Sequence, residues 1–342
     1  MKHTLHIKHF ALESGESIEG FDLAYEVVGE LKQTSSVIWV CHALTANANP
    51  LEWWADLFGE DKLFSPQHNQ AIICVNILGS CYGSTNGLSI HPKTGKPYLK
   101  EFPLISIRDF SRMLDKVRIH LNISKIDVLI GASMGGMHAM EWAISLQEKL
   151  HELILLATSA KHSPWGIALN QAQRLAIEAD ASFGENSSKA GAKGMKAARA
   201  MALLSYRTAE IYKLHQSDEY EDVTQEPKAV SYQNYQGEKL VNRFHAYAYY
   251  SLSKSMDTHH VGRNRGSIAK ALGKITAKTL VISLTTDLLF PPENQAELAT
   301  LIPHSTLVNI HSEYGHDGFL IETKQIASHI EAFLNKHYEY TY

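Results

Sequence analysis

The segment Leu129-Ile130-Gly131-Ala132-Ser133-Met134-Gly135-Gly136-Met137 constrains the fold of this chain more than any other. It sets a G-x-S-x-G between an apolar, β-branched run at 126–130 and a run at 134–146 with helical spacing. A serine on so tight a strand-to-helix turn takes a strained backbone that lifts its hydroxyl clear of the sheet. The flanking glycines are needed because a Cβ there would collide with the neighbouring strand and helix. Ser133 therefore reads as a nucleophile; the plainer alternative is an ordinary buried turn between a strand and a helix.

The rest of the chain supplies the sheet such a turn requires. Runs at 37–41, 71–77, 126–130, 153–157 and 279–284 are hydrophobic throughout, as central strands covered on both faces must be. Residues 5–12 and 22–28 alternate more and suit an antiparallel pair at the sheet edge. Helical spacing at 107–121, where Met113, Val117 and Leu121 form a stripe, and at 134–146 completes a strand–helix alternation. That alternation predicts an α/β class with a mostly parallel central sheet and helices on both faces. The pattern breaks between about 161 and 266, where helical runs at 167–179, 190–204 and 240–256 replace core strands. Residues 1–160 and 266–342 are thus expected to form the core. Residues 161–265 are expected to form a helical cap (lid) inserted between core strands.

Bulk properties exclude several functions. The net charge of -4 offers no basic footprint for nucleic acid or an anionic membrane. The 19 histidines are scattered; His259-His260 and the set His3, His6 and His9 lack a third ligand, so no metal site is expected. Three cysteines, Cys41, Cys74 and Cys81, make an odd count that fits a reducing cytoplasm better than a disulfide framework. Residues 1–10 contain no apolar signal core, and no window approaches the ~18 apolar residues of a membrane helix.

A serine hydroxyl needs an adjacent base, itself oriented by a carboxylate. On elbows of this kind the carboxylate and the histidine follow the serine in that order. Asp287 lies just past the strand-like run at 279–284, and Pro291 and Pro292 then stop its loop. His316 follows the last strand-like run, 306–310, between Gly315 and Asp317-Gly318. Acyl transfer also needs two backbone N–H groups aimed at the developing oxyanion. Met134, directly after the nucleophile, and Leu44, in the loop Cys41-His42-Ala43-Leu44-Thr45-Ala46-Asn47, are the expected donors. Cys81 is a rival nucleophile in a Gly/Ser loop, but neither a base nor a helix N-terminus can be assigned to it.

Taken together, these segments resemble the homoserine O-acetyltransferase family, acyltransferases of methionine biosynthesis on the α/β-hydrolase fold. In the core the resemblance is carried by Cys41-His42-Ala43-Leu44-Thr45, by Asn76 to Thr85, by Pro92 to Tyr98, by Phe102 to Asp109 and by the elbow running into Glu141-Trp142-Ala143. In the cap it is carried by Asn170-Gln171-Ala172-Gln173-Arg174, Ser205-Tyr206-Arg207 and Tyr235 to Lys239, and near the end by Leu289-Phe290-Pro291-Pro292 and Tyr314 to Asp317.

The resemblance implies a ping-pong reaction with no bound cofactor and acetyl-CoA as co-substrate. Ser133 takes the acyl group, CoA leaves, and the hydroxyl of L-homoserine attacks the acyl-enzyme. It implies Arg174 as partner of the amino acid carboxylate, Asp317 as holder of its ammonium, and Tyr206 and Arg207 as pocket lining. It also implies a homodimer.

The chain departs from the family pattern at Asn86-Gly87, His91, His138 and the loop at 46–51. Relatives that use succinyl-CoA or acylate L-serine stay open as readings. So do an esterase or thioesterase with water as acceptor and a non-catalytic binding protein.

Overall fold

A computed structural model of the chain describes residues 2–219 and 224–338. Position 1 and positions 339–342 of the expected core, and 220–223 of the expected cap, lie outside the described residues. Among the described residues one sheet holds β1 (Lys2–Ala11), β2 (Ser17–Val28), β3 (Ser36–Cys41), β4 (Gln70–Val75), β5 (Ile126–Ala132), β6 (Leu150–Leu156), β7 (Lys278–Leu284) and β8 (Ser305–Ile310). Their spatial order is β1-β2-β4-β3-β5-β6-β7-β8. β1 and β2 pair antiparallel, as does β2 with β4, and every pairing from β4 to β8 is parallel. The fold is an α/β hydrolase fold with a mostly parallel sheet.

Strand periodicity explains why both faces are covered. Along β3, Val37, Trp39 and Cys41 enter one hydrophobic cluster, while Ile38 and Val40 enter the other. The first cluster receives α2 (Ile107–His120) and α3 (Met134–Leu146). The second receives Trp54, at the end of α1 (Pro50–Trp53), and Ile326, Ile330 and Phe333 of α12 (Thr323–Tyr338). α2 is set by a capping box in which Ser106 and Asp109 satisfy each other's backbone amides. α3 is buried at every residue except Ser145, as a helix without a polar face must be. α10 (Pro292–Leu301) joins β7 to β8, and α11 (Gly318–Ile321) precedes α12.

Between β6 and β7 the chain forms α4 (Pro164–Glu178), α5 (Ala192–Tyr206), α6 (Ala209–Gln216), α7 (Lys228–Val241), α8 (Ala246–Asp257) and α9 (Ile268–Leu272). The helix expected over 240–256 is in fact the end of α7 and the whole of α8. His245 breaks it, because its Nδ1 accepts the amide of Ala248 at 3.0 Å and starts a new helix. α6, absent from the sequence reading, is capped by Thr208, whose Oγ1 accepts from Ile211 N at 3.2 Å. His162 N donates to His259 O at 3.0 Å, closing the insertion at its base.

Candidate active site

Ser133 adopts φ 56° and ψ −127°, a conformation forced by its surroundings. A Cβ on Gly131 would lie 2.3 Å from the carbonyl oxygen of Gly135, and one on Gly135 would lie 2.1 Å from that of Cys41. The elbow is therefore pressed between its own helix and the exit of β3, where no other residue fits.

Three strand ends converge on the hydroxyl. Ser133 Oγ lies 2.9 Å from His316 Nε2. His316 Nδ1 lies 2.7 Å from Asp287 Oδ2, to which it donates. The other oxygen of Asp287 accepts the amides of Leu289 at 2.8 Å and Phe290 at 2.9 Å, so the carboxylate cannot turn away. All three side chains are buried. The rings of Phe290 and Phe319 stand 5.3 Å from the His316 ring, and that of Tyr206 5.6 Å. Gly315 reaches this position at φ 63°, with its amide donating to Thr286 Oγ1 at 3.1 Å. The arrangement fits base-assisted attack by a hydroxyl, with imidazole and carboxylate already aligned.

The amides of Leu44 and Met134 donate to no other group among the described residues. The Leu44 loop is fixed by His42, whose Nδ1 donates to Ala43 O at 2.8 Å while Nε2 accepts from Ile77 N at 3.2 Å. Burial lowers the pKa of this imidazole to about 4.

Ser133 opens into a cavity of about 400 Å³. Its walls come from the loop at 43–47, with Glu52, Trp53 and Tyr82, from His316, Asp317, Phe319 and Leu320, and from Arg199, Tyr206, Lys239 and Arg243 of the helical insertion. Arg199 forms no ion pair among the described residues. Its guanidinium lies over the Tyr206 ring at 5.4 Å, and its buried Nε has no hydrogen-bond partner. Asp317 accepts from Arg207 Nε at 2.9 Å through Oδ2. No group of three His, Cys, Asp or Glu side chains among the described residues could hold a metal ion. No helix among them is long and apolar enough to cross a membrane.

The α/β hydrolase fold family matches residues 37–323. A homoserine O-acetyltransferase of Cyclobacterium marinum is 48% identical over 324 residues, covering 94% of this chain and 92% of the relative. The chain belongs to the homoserine O-acetyltransferase family. The crystal structure of a homoserine O-acetyltransferase from Staphylococcus aureus superposes with a TM-score of 0.82 at 28% identity, covering 98% of this chain and 95% of that one. That of esterase E22 reaches a TM-score of 0.87 at 23% identity and covers 98% and 99%, a likeness of fold alone.

The family motifs in this chain divide by position. Leu44, Ser133, Tyr206, His316 and Asp317 line the cavity; Asp287 stands behind His316 and Met134 directly after Ser133. Arg174 is not among the residues that line it. Its guanidinium donates to Asp257 Oδ2 at 2.6 Å and to Gln171 Oε1 at 2.9 Å. Asn170 donates to Asp257 Oδ1 at 2.9 Å. Two residues of the Asn170-to-Arg174 motif thus tie α4 to α8. Arg207 is likewise absent from the lining and acts on it through Asp317.

Arg199, Lys239 and Arg243 line the cavity as well, and the sequence reading assigns none of them a place there. For the first the signal was present: Arg199 and Tyr206 are two helical turns apart on α5 and so share a face. Cys81 does not line the cavity either, and burial raises the pKa of its thiol. Of the departures from the family pattern, the His91 ring lies tilted against Tyr98 with centroids 4.6 Å apart, and Asn86 caps a turn by accepting from Leu88 N at 3.0 Å. His138 is fully buried beside Phe110 with neither ring nitrogen partnered.

Proposed function

We propose that this protein is an L-homoserine O-acetyltransferase of methionine biosynthesis, using acetyl-CoA as co-substrate and an acyl-Ser133 intermediate. The observation that carries the reading is the wall of the Ser133 cavity, where the unpaired Arg199 and the acidic Asp317 stand beside the nucleophile. A guanidinium fork suits an α-carboxylate and a carboxylate suits an α-ammonium, so the pair reads as a handle for an amino acid. The names of the relatives supply acetyl as the acyl group and homoserine as the acceptor.

In the first half-reaction His316 Nε2 takes the Ser133 proton as Oγ attacks the thioester carbonyl. Asp287 stabilises the imidazolium, and the amides of Leu44 and Met134 receive the oxyanion. The tetrahedral intermediate collapses with cleavage of the C–S bond, and His316 returns the proton to the departing thiolate. In the second half-reaction His316 takes the proton of the homoserine hydroxyl as its oxygen attacks the acyl-serine. Collapse releases O-acetylhomoserine and restores the serine. Residues 161–265 act in this reading as a cap (lid) that brings Arg199 and Tyr206 to the core formed by 1–160 and 266–342. The protein works in the cytoplasm as a homodimer, as its family resemblance implies.

The test follows CoA release with a thiol reagent, pairing acetyl-CoA or succinyl-CoA with L-homoserine, L-serine or no acceptor. Release from acetyl-CoA only when L-homoserine is present is the expected result. A preference for succinyl-CoA or L-serine moves the enzyme elsewhere in the family. Release indifferent to amino acids makes it a thioesterase.

A further inference from the structure

The cavity is charged asymmetrically, and the acceptor handle does not use up the excess. Three cations line it, Arg199, Lys239 and Arg243, against two acids, Glu52 and Asp317. Asp317 is already paired with Arg207, and Glu52 accepts hydrogen bonds from Asn47 at 2.9 Å and Asn49 at 3.1 Å. Lys239, in the last turn of α7, has no ion-pair partner among the described residues, whereas its neighbour Glu238 pairs with Lys196 at 2.8 Å. Arg243, two residues past α7, is oriented entirely by neutral groups. It donates to Thr45 O, to Tyr82 Oη at 2.9 Å and to Thr45 Oγ1 at 3.4 Å. Its charge is fixed in place and left uncompensated. Both residues are exposed, unlike Arg199, and so mark the mouth rather than the interior.

We propose that Lys239 and Arg243 form a receptor at the cavity mouth for the phosphate groups of the acyl donor. The inference rests on the acyl-CoA reading above and extends it from the acyl carbon to the nucleotide end. A cavity of about 400 Å³ has room for an acyl-thioester arm beside a small amino acid, but not for the nucleotide as well. The phosphates of a donor whose thioester reaches Ser133 therefore come to the rim. There a flexible ammonium and a pre-oriented guanidinium suit a diphosphate, the one as a mobile point charge and the other as a planar fork. Trp53, also in the lining and held by its indole N–H to Asn47 O at 3.0 Å, gives the uncharged pantetheine arm an apolar wall on the way in.

The experiment compares two donors with the same thioester, acetyl-CoA and S-acetylpantetheine, the second lacking every phosphate. Homoserine acetylation is followed in the wild type, Lys239→Ala, Lys239→Arg and Arg243→Lys. Lys239→Ala is expected to raise the KM for acetyl-CoA roughly tenfold while that for S-acetylpantetheine moves less than twofold, and Lys239→Arg to restore it. Arg243→Lys, which keeps the charge but gives up the planar fork and its contacts to Thr45, is expected to raise the KM for acetyl-CoA severalfold and to leave that for S-acetylpantetheine within twofold. Added salt should weaken acetyl-CoA use selectively.

Equal loss with both donors in Lys239→Ala, or a wild type that uses both equally well, overturns the phosphate receptor and leaves acetyl transfer standing. A wild type that acetylates homoserine from neither donor overturns both the receptor and the reading beneath it.

Discussion

The sheet and the helical insertion each build half of one cavity, and they do so by different means. On the sheet side, Ser133, Asp287 and His316 leave the carboxyl ends of β5, β7 and β8, and their positions are set by backbone. The elbow admits no Cβ at Gly131 or Gly135, and Asp287 is held by two main-chain amides. On the insertion side, Arg199, Lys239 and Arg243 arrive on side chains from α5, from α7 and from the turn after α7. Chemistry that needs sub-ångström placement is built on the rigid half. Selection of charge and shape is left to the adjustable half.

The sharpest way to break this contrast is to remove its fixed point. Ser133→Ala should cost roughly 10⁴-fold or more in turnover with any donor, because nucleophile, base and orienting acid act as one unit. Gly135→Ala should do comparable damage without touching a reacting group, since the added Cβ would meet the Cys41 carbonyl at 2.1 Å. Steady-state rates with acetyl-CoA and with p-nitrophenyl acetate check both. A Gly135→Ala protein that is folded and active would show that the elbow is less rigid than its packing requires.

The same change on the insertion side should divide substrates instead. Arg199→Ala is expected to lose about 100-fold in kcat/KM for homoserine, a charge-assisted bidentate contact being worth a few kcal/mol in a partly buried site. Hydrolysis of p-nitrophenyl acetate, which carries no α-carboxylate, should fall far less. Equal loss in both assays would make Arg199 a packing residue and remove the main support for an amino acid acceptor.

Arg174 provides the control for that result, and its expected effect is on stability. Its side chain is 7% exposed and that of Asp257 20%, so Arg174→Ala leaves an acid largely buried without its partner. Unfolding free energy should drop by about 3 kcal/mol, while kcat/KM per folded molecule stays within a few-fold of wild type. Denaturant titration combined with kinetics separates the two. Loss of homoserine-dependent turnover at unchanged stability would return Arg174 to the clamp role its motif implies.

This division also accounts for what could be read in advance. The elbow, the order of its partners and the parallel sheet leave period-2 and period-3.6 patterns and obligatory glycines, all written in local sequence. The insertion leaves no such signature. Arg174 and Arg199 sit on neighbouring amphipathic helices, and only tertiary packing decides that the first meets Asp257 of α8 and the second lines the Ser133 cavity. The break at His245 was hidden for a related reason, since one imidazole accepting one amide overrides an otherwise continuous helical pattern.

A smaller effect tests whether the base of the insertion yields before the sheet. Burial holds His162 near pKa 4 and His259 near 3, and these two meet where the insertion joins the core; His42, under the Leu44 loop, is held near 4. All three are neutral in the folded protein and revert to about 6.5 on unfolding. Above that value neither state binds the extra protons, so stability is level. Below it the unfolded chain gains them first, and stability falls as pH drops from about 6.5 toward 4. The slope is at most about 1.4 kcal/mol per pH unit for each histidine. Hydrogen exchange at pH 7.5 and 5 should show protection lost in α4 and α8 ahead of β5. Uniform loss across both would mean that the two halves open as one unit.

The smallest expected effect concerns Cys81, the one thiol in a loop near the cavity. It does not line the cavity, burial pushes its pKa up, and its Sγ lies 3.8 Å from the carbonyl of Arg243. A thiol held protonated and turned toward a carbonyl is a poor nucleophile, so Cys81→Ser should stay within twofold of wild type in both assays. Because Arg243 belongs to the insertion and Cys81 to the core, any change that does appear should be in the KM for acetyl-CoA, through the position of Arg243, with kcat on p-nitrophenyl acetate unmoved. A fall in kcat with both substrates would instead put Cys81 in the chemistry and dissolve the division of labour between the two halves.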